Sequence, residues 1–214
     1  MRELRKYQVE AIDALYRYFS EKNGNPLIVL PTGTGKSLVI ASFIKKAIVE
    51  YPKTRILMLT HQRELIEQNA KELRNEWNDA PLGIYSAGLG LRSVHQITFA
   101  GIHSIYKKLD RLGIIDIIII DEAHTISRNA NTMYGKLINN LRNKNHHLKL
   151  IGFTATPYRL DSGYLHKGKG AIFNDIAYEY SVATAVDEGF LCEPVPKKMA
   201  TYLDVSNVEM RAIS

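Results

Sequence analysis

The sequence predicts an α/β fold in which a mostly parallel sheet carries helices on both faces. Three observations carry that expectation. Segments of helical spacing alternate with short apolar runs, the order expected of repeated β–α units. The run Ile117-Ile118-Ile119-Ile120 is β-branched throughout, as a strand buried on both faces requires. Turn-forming residues separate the runs at short intervals.

Each element follows in order. From Tyr7 to Phe19, Ile12, Leu15, Tyr16 and Phe19 recur at helical spacing, and Asn23-Gly24-Asn25-Pro26 stops that helix. Leu27–Leu30 reads as a strand, Pro31–Gly35 as a turn, and Lys36 to Glu50 as a helix. Arg55–Thr60 is the next strand and His61–Trp77 the next helix. Gln96–Phe99 is a weaker strand candidate, and Leu148–Phe153 is another strand after the isoleucine run. Ser181–Glu188 reads as a helix closed by Gly189. The stretch Tyr158–Gly170 is expected to be an exposed loop, and Arg142–His147 a solvent turn. Residues 1–192 then form one domain, and 193–214 an exit segment leading away from it.

Composition narrows the classes. The chain has 214 residues, of which 45% are hydrophobic, enough for a core. No apolar run reaches the roughly 18 residues of a membrane span. The single cysteine, Cys192, cannot build a disulfide framework or a zinc site within the chain, which points to the cytoplasm. A net charge of +6 is compatible with a polyanionic partner and equally with none.

Two motifs carry chemistry. In Leu30-Pro31-Thr32-Gly33-Thr34-Gly35-Lys36-Ser37, a strand passes through a Gly-rich turn into a helix. Such a turn presents successive N–H groups to phosphate, and the helix adds its positive end. Thr32, Gly33, Thr34 and Gly35 would form the cradle, Lys36 would place a point charge at the β- and γ-phosphates of ATP, and Ser37 would offer a hydroxyl to Mg²⁺. The strict pattern wants glycine at position 30, where this chain has Leu30. A turn with an incidental lysine is the bland alternative; the strand–turn–helix order argues against it. About 85 residues further on, the isoleucine strand ends in Asp121-Glu122. Asp121 would hold Mg²⁺, and Glu122 would orient and deprotonate the attacking water. Neighbouring residues of an extended chain point apart, which would let the two carboxylates take separate jobs.

Asp121-Glu122-Ala123-His124 spells a DEAH box, and with it the chain resembles the superfamily 2 helicases. The resemblance extends over residues 2 to about 196 in family order. Arg5-Lys6-Tyr7-Gln8 resembles the adenine-reading Q motif, and Thr60-His61-Gln62-Arg63-Glu64-Leu65 resembles motif Ia. Thr98–Ile105 resembles the following strand-contact motif, and Thr154-Ala155-Thr156-Pro157 resembles motif III. The RadD-like and type III restriction-subunit group is the nearest in character. DEAH-box RNA helicases have a more conventional glycine-led cradle, and DEAD-box proteins have aspartate where this chain has His124.

The resemblance implies a RecA-like P-loop NTPase domain. It implies that Gln8 reads the adenine edge and that Arg5 lies on the ring. It implies that Thr154 and Thr156 couple hydrolysis to strand binding, with His124 as a relay. Gln62, Arg63 and Gly101 would contact nucleic-acid phosphates, although Arg63 also fits a solvated helix face. The loop carrying Lys167 and Lys169 is left open between strand contact and none. DNA is favoured over RNA as partner, in repair or restriction, and the chain is read as a monomer. The family works with a second RecA-like domain that supplies arginine fingers. Nothing after Thr156 resembles one, so the chain is expected to be part of a longer protein and to hydrolyse ATP very slowly by itself.

Overall fold

The computed structural model describes residues 3–193, apart from 128, 130, 160–162 and 169. The first helix, α1 (Lys6–Glu21), leads into β1 (Pro26–Val29), followed by α2 (Lys36–Glu50), β2 (Ile56–Thr60), α3 (Arg63–Glu76) and β3 (Leu82–Ser86). After a short 3₁₀ turn, β4 (Leu91–Arg92) folds back on β3, and β5 (Ile97–Gly101), α4 (Ile102–Ile105), β6 (Ile117–Ile120), α5 (Met133–Lys144) and β7 (Lys149–Thr154) continue the alternation. A two-stranded ribbon, β8 (Tyr158–Arg159) with β9 (Gly163–Tyr164), precedes β10 (Asp175–Glu179) and α6 (Val182–Asp187).

Eight strands form one sheet in the order β10-β1-β7-β6-β2-β5-β3-β4. Every pairing in it is parallel except β3 with β4. Alternate residues of each strand feed opposite faces. Ile28, Met58, Phe99, Ile119 and Phe153 join the core under α1, α2 and α3. Leu27, Leu57, Ala100, Ile118 and Leu150 join the core under α4 and α5. The expected sheet with helices on both faces is therefore what forms, and the period-2 alternation explains why the central strands β1, β2, β6 and β7 have no solvent face. Among the described residues no helix is long and apolar enough to cross a membrane.

Several elements were not anticipated, among them α5, β3, β10 and the short strands β4, β8 and β9. In α5, Tyr134, Leu137, Ile138 and Leu141 are buried at helical spacing. Its helix propensity is low, since Gly135 and three asparagines interrupt it, and burial of that stripe decides the outcome. Consequently Arg142–Lys144, read as part of a solvent turn, closes α5, and the turn itself is Asn145–His147. In β3, Gly83 is required because a Cβ there would stand 2.7 Å from the Ser93 carbonyl oxygen. The strand β10 is an edge strand, only partly buried, so its sequence lacks the continuous apolar signature. The expected loop at Tyr158–Gly170 contains the β8–β9 ribbon and tucks Leu165 into the core. The expectations for Lys169 and for the exit segment beyond Glu193 lie outside the described residues.

Strand register sets up the site. Val29 pairs with Thr154, Leu59 with Ile120, and Thr60 with Gly101. The carboxyl ends of β1, β7, β6, β2 and β5 therefore finish side by side. Everything that follows those strands, from the Gly-rich turn to the starts of α3 and α4, opens on one edge of the sheet.

Candidate nucleotide site

The Gly-rich turn joins β1 to α2. Gly33 and Gly35 adopt φ of +86° and +78°, the left-handed region that a side chain disfavours. Gly35 is the residue that starts α2, so its backbone curl aims the first free N–H groups of that helix into the turn. Leu30, at the position where a stricter pattern has glycine, is fully buried and extends the β1–β7 ladder, its N–H donating to the Thr154 carbonyl at 2.9 Å. A side chain is tolerated there because the chain is still extended. Thr34 is buried, its hydroxyl closing the turn onto the Pro31 carbonyl at 2.7 Å, whereas Thr32 is exposed.

The lysine and the acidic pair face each other. Lys36 Nζ lies 2.7 Å from Glu122 Oε1 and 3.8 Å from Asp121 Oδ1. Asp121 is only 2% exposed. Burial raises its carboxyl above the usual carboxylate range, opposed by the Lys36 charge and by the Asn69 amide. The alternation expected of an extended chain does not apply here, because the chain leaves the extended conformation at Glu122, and both carboxylates face the Lys36 ammonium. Glu122 takes φ +55°, and among the described residues no other non-glycine has positive φ. A left-handed conformation at a non-glycine residue is a cost expected at functional positions. Ser37 Oγ accepts from Gln68 Nε2 at 3.2 Å on the other side of the turn.

His124 joins this centre to motif III. Its Nδ1 stands 3.0 Å from Thr154 Oγ1 and 3.3 Å from Glu122 Oε2. The Thr154 hydroxyl donates its one proton to the Thr156 carbonyl at 2.8 Å and accepts from the Thr156 N–H at 3.1 Å. With its proton on the Thr156 carbonyl, the hydroxyl accepts from His124 in the tautomer that carries hydrogen on Nδ1. Burial lowers the histidine's affinity for a second proton, partly opposed by Glu122.

Gln8 and Arg5 flank the turn from the start of α1. Gln8 is buried, its Oε1 accepting from the Arg5 N–H at 3.0 Å and its Nε2 donating to the Thr34 carbonyl at 3.0 Å. Arg5 lies 4.5 Å above the Phe190 ring and donates to the Tyr7 hydroxyl at 3.2 Å. Tyr7 in turn donates to the Thr34 carbonyl at 2.7 Å and stacks on Tyr180 with ring centres 4.2 Å apart. Arg5, Gln8, Thr34, Gly35, Ser37 and Glu72 line an open cavity of about 500 Å³ beside the turn.

Gln62 and Arg63 begin α3, and Gly101 begins α4, on neighbouring strand ends as expected. Arg63 is exposed and meets Glu64 Oε1 at 3.3 Å. Nothing in that geometry brings Gln62 or Arg63 to the acidic pair.

The sequence reading missed Tyr7, Tyr180 and Phe190, which brace the start of α1, and Gln68 and Asn69, which reach the site from α3. Asn69 was visible as a polar residue inside the apolar stripe Ile66-Asn69-Ala70-Leu73. The aromatic brace had no signal, because Tyr180 and Phe190 are far from Tyr7 in the chain. Asp121 and Ser37 both offer oxygen, the donor type that suits a hard divalent cation. Among the described residues no cluster of three or more histidine, cysteine or acidic side chains forms a separate metal site.

The family of type III restriction enzyme res subunits matches residues 1–159. The ATP-dependent helicase IRC3 of Saccharomyces cerevisiae is 26% identical over 222 residues, which span 98% of this chain and 31% of that protein. The endonuclease subunit of the type I restriction enzyme EcoAI from Escherichia coli is 25% identical over 196 residues, 87% of this chain and 23% of that one. The chain thus spans about a third or less of the length of these relatives. Among solved structures, the Type ISP restriction-modification enzyme LlaGI with a DNA substrate mimic superposes at a TM-score of 0.65, with 15% identity, 88% of this chain and 21% of that one covered. The Hef helicase domain of Pyrococcus furiosus superposes at 0.58 with 22% identity, covering 78% of this chain and 37% of that one. The shared fold is the RecA-like domain of helicases. With the Gly-rich turn, the acidic pair and Thr154–Pro157 assembled on one sheet edge, and the family match running over residues 1–159, this chain belongs to the type III restriction enzyme res-subunit family.

Proposed function

We propose that the chain is the ATP-binding RecA-like domain of an ATP-dependent DNA helicase or translocase acting in repair or restriction. One observation carries the reading: Lys36 Nζ is 2.7 Å from Glu122 Oε1, so the phosphate turn and the acidic pair share one gap. In that reading Lys36 exchanges its ion pair for the β- and γ-phosphates of ATP, a swap of one anion for another that keeps the ammonium satisfied. Glu122, released from Lys36, orients and deprotonates the attacking water. Ser37 and Asp121 hold Mg²⁺, which when bound neutralises charge on the phosphate oxygens. Gln8 offers its amide to the adenine edge. Arg5 offers the guanidinium face opposite Phe190 to the ring. His124 relays the state of Glu122 to Thr154 and Thr156, which couple the hydrolysis site to the strand-binding face.

Gln62, Arg63 and Gly101 meet nucleic-acid phosphates at the helix starts, DNA being favoured over RNA. The match to restriction subunits supports DNA, as do the LlaGI structure with a DNA substrate mimic and the LlaBIII structure bound to DNA. A second RecA-like domain completes the site in the parent protein, which acts as a monomer. A cytoplasmic setting follows from the lone cysteine; the Schizosaccharomyces pombe relative is by name mitochondrial. The alternatives are an RNA motor and an ATP-switched binding module without motion.

Titration with a fluorescent ATP analogue tests the first step. Saturable binding that requires Mg²⁺ and is lost in Lys36→Ala is the expected result, and binding indifferent to both sinks the reading. In the full-length protein, ATPase stimulation by DNA over RNA and displacement of a triplex strand separate the motor from its alternatives.

A further inference from the structure

We infer that helix α3 is a rigid strut linking the nucleic-acid edge to the Mg²⁺ and phosphate groups, and that Asn69 is its positioning residue at the acidic end. This rests on the proposed function and adds a route by which strand binding reaches the nucleotide.

The two ends of the strut are set by the same helix. Gln62 and Arg63 stand at its N-terminus, and its second turn delivers Gln68 to Ser37 Oγ at 3.2 Å and Asn69 to Asp121 Oδ2 at 3.0 Å. Seven residues of helix separate Gln62 from Asn69, about 10 Å at the rise of an α-helix. Two contacts from adjacent positions reach both halves of the cation-holding set, the turn hydroxyl and the acidic carboxylate.

Asn69 is an unusual residue for its place. It is 2% exposed and occupies the apolar stripe of α3, where a hydrophobic side chain would pack without needing partners. Its Nδ2 uses both protons, one on the Leu65 carbonyl at 2.9 Å and one on Asp121. Its Oδ1 is buried with no hydrogen-bond partner among the described residues. Turning the amide over would set Oδ1 against the Asp121 carboxylate, so the orientation is fixed. A buried amide with one unsatisfied atom costs stability, and packing alone does not account for it. What the arrangement gains is a carboxylate held from the helix. Asp121 Oδ2 is tied to Asn69, while Oδ1 accepts from the Glu122 N–H at 3.0 Å and faces Lys36. A shift of α3 driven by phosphate contacts at Gln62 and Arg63 must move Asn69, and with it the carboxylate.

The test measures coupling instead of turnover. The affinity of the chain for a fluorescent ATP analogue with Mg²⁺ is determined with and without a saturating single-stranded DNA oligonucleotide, and the ratio of the two is the readout. Coupled sites commonly give ratios of about 5 to 150. The wild-type chain is expected to show a ratio of at least about fivefold, near the low end of that range. Asn69→Leu, close in volume, is expected to bring it within about twofold of unity while both ligands still bind. The exposed control Glu67→Gln keeps the wild-type ratio. A merely structural role would weaken folding and both affinities together and leave the ratio alone. Should Asn69→Leu fail to fold, Gln68→Leu on the exposed side of the helix carries the same expectation. An unchanged ratio in the folded variant overturns the strut, as does a wild-type ratio of one with both ligands bound. A chain that binds neither ligand overturns the proposed function instead.

Discussion

The side-chain amide of Gln8 donates to the Thr34 carbonyl at 3.0 Å, tying the start of the first helix to the crown of the phosphate turn. The same residue caps its own helix through the Arg5 N–H. Gly35 is kept side-chain-free partly by this contact, since a Cβ there would lie 2.7 Å from Gln8 Nε2. The start of the helix and the Gly-rich turn are thus built into one small unit.

The first prediction concerns that unit. Gln8→Ala removes one buried and one partly buried hydrogen bond, each worth about 1 kcal/mol net. ATP affinity should fall about tenfold, and the preference for ATP over GTP should shrink toward unity. Competition of the two nucleotides against a fluorescent analogue reads both. Unchanged discrimination would remove Gln8 from base reading.

A second prediction separates binding from chemistry. Glu122→Gln keeps the shape of the acidic turn and removes the base. The variant should bind ATP at least as tightly as wild type, because Lys36 loses its competing carboxylate. In the full-length protein, turnover should drop by about 10²- to 10⁴-fold, the usual contribution of a positioned base. A variant with near-normal turnover would assign the base elsewhere.

How much of this was legible in the sequence depends on chain distance. The turn, the acidic pair and Thr154–Pro157 are local strings whose context is a strand end, and each landed where its string implied. The ladder order that sets them side by side is a property of the sheet, yet the rule that ligands gather at carboxyl ends anticipates it. What stayed hidden were partners far apart in the chain. Tyr180 and Phe190 reach Tyr7 only because β10 adds to the edge beside β1, and β10 has too little burial to announce itself. Asn69 was overlooked although its position, polar within an apolar stripe, is readable. The acidic pair was expected to point apart as on an extended strand; the left-handed turn at Glu122, unusual for a non-glycine, breaks that alternation, and both carboxylates face Lys36.

A third prediction follows from the ion pair itself. Lys36 and Glu122 are largely shielded, with side-chain exposures of 12% and 22%. Removing one partner from such a pair leaves an uncompensated charge, a change that costs about 3–5 kcal/mol when burial is complete. Here the cost should be smaller, about 1–3 kcal/mol, because water still reaches Glu122. Lys36→Met should therefore destabilise the nucleotide-free chain, and adding Glu122→Gln should restore part of the loss. Urea unfolding of the four members of the cycle measures the coupling. Strictly additive effects would show that the pair contributes nothing to the fold.

The last prediction is a pH dependence remote from the nucleotide. The Tyr18 hydroxyl donates to Asp175 Oδ2 at 3.0 Å, joining α1 to β10. Burial, then the hydrogen bond and charge of Asp175, push its phenol from 10.0 up to about 12. Tyr16, Tyr134, Tyr178 and Tyr180 are raised further, burial being the first cause in each. A raised folded-state value means that the folded chain keeps the proton longer than the unfolded chain does. Below about pH 10 both states are protonated and the contribution is complete. As pH climbs from 10 toward 12 the unfolded phenol ionises first, the unfolded state holds fewer protons, and stability falls. Urea midpoints measured from pH 8 to 11 should therefore be level at first and then decline. Tyr18→Phe should lower the midpoint at pH 8, through loss of the Asp175 bond, and decline less steeply above pH 10. Equal slopes in the two proteins would mean that Tyr18 ionises in the folded state as it does in the unfolded one, and that the α1–β10 contact holds no proton in place.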